Sequence, residues 1–83
     1  MEEKIGEVEH YFTDISVAAI KITGGTLQVG DTIHIVGATT DFSQPVNSME
    51  IDRTPVEEVS TGDEVGIKTT GRVREGDTVY RVS

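Results

Sequence analysis

Apolar side chains recur along this chain with a period of two, and nowhere sustain the 3.6-residue period of an amphipathic helix. Ile33 and Ile35 alternate with Thr32 and His34, and Val65 and Ile67 alternate with Glu64, Gly66 and Lys68, as half-buried strands require. The pattern predicts six strands: Ile5 to Phe12, Ile15 to Thr23, Thr32 to Val36, Gln44 to Ile51, Glu64 to Thr69 and Thr78 to Val82. Thr13-Asp14 reads as a tight hairpin connection and Gly24-Gly25 as a hairpin bend. The stretch from Thr54 to Thr61 holds Pro55 and the pair Glu57-Glu58, and reads as an ordered loop crossing one end of the fold.

Three Gly-Asp corners punctuate the strands: Gly30-Asp31, Gly62-Asp63 and Gly76-Asp77. Glycine supplies a backbone conformation with positive φ, and the aspartate can accept hydrogen bonds from amides of its own turn. Repeated corners between short strands predict an all-β fold, a small closed six-stranded β-barrel in which closure removes exposed strand edges. With 83 residues there is room for one domain, 1–83. A chain this short buries roughly 60 to 65% of its unfolded surface, so its few large side chains are needed inside. Phe12 and Phe42 are accordingly expected to plug the two barrel ends.

Composition narrows the chemistry. The absence of cysteine excludes disulfides, thiolate nucleophiles and Cys-ligated zinc, and fits a reducing cytoplasm. No apolar run is long enough to act as a signal region or to span a bilayer, so the expectation is a soluble, cytoplasmic protein with no membrane partner. The net charge of -8 opposes general attraction to phosphate backbones. The charge is unevenly spread. Met1 to Glu64 carries three basic residues against thirteen acidic ones, whereas Val65 to Ser83 has Lys68, Arg72, Arg74 and Arg81 against Glu75 and Asp77.

No residue set amounts to a catalytic signature, and no nucleophile is paired with a base and an orienting partner. His10 and His34 lie on separate strands without a third ligand at metal spacing, and read as ordinary strand histidines. No cofactor is implied. There is no Gly-x-x-x-x-Gly-Lys-Ser/Thr loop, so neither GTP nor ATP is expected to bind. The candidate binding residues are Lys68, Arg72 and Arg74 around the Thr70-Gly71 turn, read as a hairpin tip, together with Tyr11 and Phe42 at strand ends. Guanidinium groups there suit bidentate contact with a phosphate or a carboxylate.

The order of these motifs carries a resemblance. A β-hairpin precedes Gly25-Thr26-Leu27-Gln28-Val29-Gly30-Asp31-Thr32-Ile33. A strand then ends in Val36-Gly37, Val46 to Ile51 follows, and Pro55 to Ile67 leads to Arg74-Glu75-Gly76-Asp77-Thr78-Val79. From about Ile5 to Val82 the chain resembles domain 2 of the translational GTPases, the barrel of elongation factor Tu and initiation factor 2. It is also similar to small stand-alone elongation-factor-like proteins and to the C-terminal barrel of collagenase-like peptidases. The Arg-Gly-x-Gly-Thr-Val run that enters the second strand of elongation factor Tu is replaced by Thr13-Asp14-Ile15-Ser16-Val17-Ala18, which weakens any inherited recognition of charged tRNA. The resemblance implies a non-catalytic binding module that contacts tRNA, ribosomal RNA or the ribosome. The alternative is a protein-interaction module, or a lid-like accessory subunit, that docks on an enzyme.

Overall fold

The computed structural model describes residues 1–83 and contains no helix. Ten strands form: β1 (Glu2–Phe12), β2 (Val17–Ile22), β3 (Thr26–Gln28), β4 (Thr32–Val36), β5 (Asp41–Pro45), β6 (Met49–Ile51), β7 (Thr54–Val56), β8 (Glu58–Ser60), β9 (Glu64–Lys68) and β10 (Thr78–Val82). Eight of them make one antiparallel ladder in the order β5-β4-β10-β1-β2-β9-β6-β7, and β3 pairs with β8 in a second. The all-β expectation holds, with ten strands in place of six, and strand pairing does not join β5 to β7. Between β5 and the segment after β9 the link is a side chain. The Gln44 amide donates to the Lys68 carbonyl at 2.9 Å and accepts from the Thr70 N–H at 2.7 Å.

The three Gly-Asp corners share one geometry. Gly30, Gly62 and Gly76 have φ of 101°, 100° and 89°. In each corner the aspartate N–H donates to the carbonyl three residues earlier, of Gln28, Ser60 or Arg74, at 3.0 to 3.1 Å. The carboxylate of the same aspartate accepts from that residue's N–H at 2.8 to 2.9 Å. A positive-φ residue at the third turn position is what a type II turn demands, and the carboxylate satisfies an amide that leaves the ladder.

Fifteen buried apolar residues form one core, with Ile5, Ile20, Ile22, Leu27, Ile33, Ile35, Met49 and Ile67 as its largest members. Two irregularities in β1 decide what faces it. Pairing with β10 shifts register between Lys4 and Gly6, so Ile5 and Gly6 are both buried. Pairing with β2 shifts again between Val8 and His10. Since side chains alternate, one extra residue flips all that follow. Tyr11 therefore packs against the core, and Phe12 points outward, 43% exposed. Phe12 does not plug the fold. Phe42 does pack against the core, half-buried.

Several connections differ from expectation. Phe12 pairs with Val17, so residues 13–16 form a four-residue loop, with Ile15 57% exposed and Ser16 at φ 56°. Gly24-Gly25 turns the chain between the two ladders, since β3 pairs with β8 and not with β2. Residues 54–61 hold β7 and β8, and Pro55 fits because β7 is an edge strand that need not donate there. The two-residue link Asp52-Arg53 has φ of 49° and 66°, the conformation of a type I′ hairpin turn. β9 and β10 do not pair, so the segment 69–77 is a crossover and not a hairpin tip.

Candidate functional site

The loop after β1 and the crossover after β9 meet at one end of the molecule. The Thr69 N–H donates to the Ser16 carbonyl at 2.9 Å, tying the two together. Between them opens a cleft of about 390 Å³ lined by His10, Tyr11, Thr13, Arg72, Val73, Arg74 and Glu75. Val73 is buried and anchors the crossover in the core, so its neighbours Arg72 and Arg74 are both left exposed. The Asp77 carboxylate holds the Arg74 N–H at 2.8 Å, fixing the backbone from which that guanidinium projects.

Tyr11, Arg72 and Arg74 are thus brought to one cleft. Lys68 is exposed at the end of β9 and lines a neighbouring polar cleft of about 450 Å³ with Gln44, Asn47, Ser48, Thr69 and Thr70. Phe42 lies under the crossover, its ring 3.1 Å from where a Cβ on Gly71 would stand. The sequence reading missed His10, Thr13 and Glu75 as cleft residues. His10 stands 4.0 Å from Glu75 and packs edge-on against Phe12, with ring centroids 4.5 Å apart. The shift in β1 register that gathers these residues leaves no mark in the hydrophobic pattern.

Lys68, Arg72 and Arg74 take part in none of the ion pairs of the molecule. The ion pairs join Lys4 to Glu7, Arg81 to Glu3, His10 to Glu75, and His34 to Glu2 and Asp41. His34 is bonded on both sides: Nδ1 to Glu2 at 2.8 Å and Nε2 to Asp41 at 2.5 Å. Hydrogen bonds to the accepting carboxylates of Asp41 and Glu2 raise its pKa above the usual histidine value, since both favour the charged ring. With both nitrogens engaged, neither is free to take a proton from a substrate. No group of three or more histidine or carboxylate side chains is placed to hold a metal ion.

A ten-strand antiparallel fold with glycine-aspartate corners and a surface cleft defines a small all-β domain. The chain belongs to the elongation factor Tu domain 2 family, whose description matches residues 16–80. Within curated proteins it is 42% identical over 78 residues to an uncharacterized protease of Methanocaldococcus jannaschii, covering 93% of this chain and 19% of that protein. A collagenase of Porphyromonas gingivalis is 33% identical over 78 residues, covering 93% of this chain and 22% of that protein. The chain spans about a fifth of the length of these relatives. Among solved structures, the C-terminal domain of a Geobacillus thermoleovorans protein assigned to the U32 peptidases superposes with a TM-score of 0.90 at 15% identity, over 98% of this chain and 93% of that one. Its selenomethionine variant gives 0.87 at 16% identity, over 93% of this chain and 96% of that one. At that identity the likeness establishes the fold alone. No helix of the structure is long and apolar enough to cross a membrane.

Proposed function

We propose that this chain is a non-catalytic docking module, the accessory domain of a peptidase-type catalytic partner, acting as one folded unit over residues 1–83. The observation that carries this reading is the recurrence of nearly the whole chain as about a fifth of proteins named as a protease and a collagenase. The chemistry is consistent with it. His34, the imidazole oriented by carboxylates, has no free nitrogen, and the charge of -8 disfavours the RNA or ribosome contact that the translation-factor resemblance implies. A docking module needs a firm frame, and a single core of fifteen buried apolar residues, with the Gln44 amide linking β5 to the segment after β9, supports that reading.

The test uses the Methanocaldococcus jannaschii relative with its own matching 78-residue segment removed. Added in trans, the purified chain is expected to bind the remaining portion and to alter its hydrolysis of a fluorogenic peptide, while the chain alone hydrolyses nothing. Absence of both binding and any change in hydrolysis would overturn the accessory reading. Ribonuclease-sensitive co-sedimentation with ribosomes would favour the translation-related alternative.

A further inference from the structure

The outward face of β1, β2 and β9 is sorted by chemistry along the strands. Cross-strand pairing sets Phe12, Val17 and Lys68 in one row, and Glu7, Lys21 and Glu64 in another at the opposite end. Directly opposed residues project to the same face, so these rows form two surface bands. Phe12 in the first band and Ile15 in the adjoining loop are, with Met1, the exposed large apolar residues of the molecule. The cleft with Arg72 and Arg74 opens beside the same hairpin. This end of an acidic protein therefore gathers exposed apolar side chains with three cationic ones, Lys68, Arg72 and Arg74, against two exposed carboxylates, Asp14 and Glu75, the latter 4.0 Å from His10.

We propose that this end is the docking site for an acidic segment of a protein partner. Carboxylates of the segment seat in the cleft against Arg72 and Arg74, Lys68 adds charge at the rim, and apolar side chains between the carboxylates lie over Phe12 and Ile15. The proposal deepens the accessory-module reading and rests on it for the partner being a protein; recognition of carboxylates rests on the cleft itself.

Three observations carry it. Fifteen acidic residues surround seven basic ones in this chain, yet both guanidinium groups of the cleft stay out of every internal ion pair. A planar guanidinium fork fits a carboxylate through two parallel hydrogen bonds. The cleft has the volume of a ligand site, and the hydroxyls of Tyr11 and Thr13 offer donors for the remaining carboxylate lone pairs. The third observation separates protein from RNA. Binding of single strands combines base stacking with a positively charged groove that tracks the backbone, and here one short cationic segment stands in a chain of net charge -8.

The experiment is a backbone and arginine side-chain NMR titration of the full chain. The probes are a blocked octapeptide alternating glutamate with leucine, its glutamine counterpart, and an octamer of uridylate. The glutamate peptide is expected to shift the signals of Tyr11, Phe12, Thr13 and residues 72–75. The glutamine peptide should bind at least about tenfold more weakly, a difference of about 1.4 kcal/mol. Arg72→Gln with Arg74→Gln should lose a similar factor, and Phe12→Ser a smaller one, with spectra otherwise like the parent. Equal affinity for the two peptides, shifts confined elsewhere, or tighter uridylate binding at the same residues would each overturn the proposal. Repeating the trans-association measurement with the double-glutamine variant separates the two readings. Undiminished association removes the cleft and keeps the accessory module, whereas peptide binding at the cleft without association removes the module and keeps the cleft.

Discussion

His34 shows how a single strand residue acquires a role its sequence context hides. It pairs with Tyr80 on one neighbouring strand and with Ser43 on the other, while its ring nitrogens reach Glu2 of β1 and Asp41 of β5. The bridge spans the β1-β10-β4-β5 half of the ladder. The folded-state pKa is raised above the unfolded value, so the protonated ring contributes stability that is fully present below about 6.5 and is lost as pH rises through the folded pKa. Urea midpoints are therefore expected to fall over the interval that begins near about pH 6.5 and runs up through the raised folded-state pKa, where carboxylates stay charged. His34→Gln should flatten that slope. A parent profile that is level across the interval, or a His34→Gln profile that keeps the slope, would show that the bridge is not what responds. The effect should be modest, because the ring is partly solvent-exposed and ion pairs near the surface are screened.

Among the elements, the corners test two different uses of glycine. A Cβ on Gly30 would meet nothing within 4 Å, so Gly30→Ala acts through its φ of 101° and is expected to cost roughly 1 to 3 kcal/mol. Gly37 is the opposite case. Its Cβ would overlap the Asp77 carboxylate, which is buried and holds the Arg74 N–H. Gly37→Ala should thus expel that carboxylate and destabilise by about as much as losing a buried hydrogen bond, roughly 1 to 3 kcal/mol. Gly37→Ala combined with Asp77→Ala should cost clearly less than the sum of the single changes, since each removes the same arrangement. Additive chemical-denaturation values would disprove the contact. These corners were legible in the sequence because glycine and aspartate act locally. Thr32–Val36 was legible because five alternating residues show the period, and Thr78–Val82 because a valine-containing run follows directly on a Gly-Asp corner. The three-residue strands β3, β7 and β8 were not, for each holds one or two apolar residues and exists only through its partner. The outward turn of Phe12 escaped for a related reason: the register shift before His10 arises from pairing with β2, which no single strand records.

The whole molecule raises the question of what holds β5, one end of the ladder, against the segment after β9. Gln44 is 5% exposed, and its amide presents one acceptor and one donor to Thr70 and Lys68, the two groups a strand's peptide would offer. The hydroxyl of Thr70 donates to the same oxygen at 3.2 Å. This clasp also sets the crossover that carries Arg72 and Arg74, so it links the frame to the cleft. The charged residues of that cleft could be named from the sequence because the positive segment is short and its surroundings acidic. Their sorting into two clefts could not, since it depends on a contact between positions 26 residues apart. Gln44→Leu keeps the side chain's approximate volume but leaves the Thr70 N–H and the Lys68 carbonyl unpaired. It is expected to cost roughly 1 kcal/mol, the net worth of partly buried hydrogen bonds, and to speed hydrogen exchange at Thr70 more than at the β1–β2 rungs. Gln44→Glu should be as harmful near neutral pH, because a carboxylate still accepts from Thr70 but repels the Lys68 carbonyl to which the amide donated. On acidification, protonation restores a donor and part of the loss should be recovered. Urea titrations of both variants across pH, read beside amide exchange at Thr70, decide the matter. A Gln44→Leu variant that matches the parent in both would mean that the core alone holds β5 against the segment after β9.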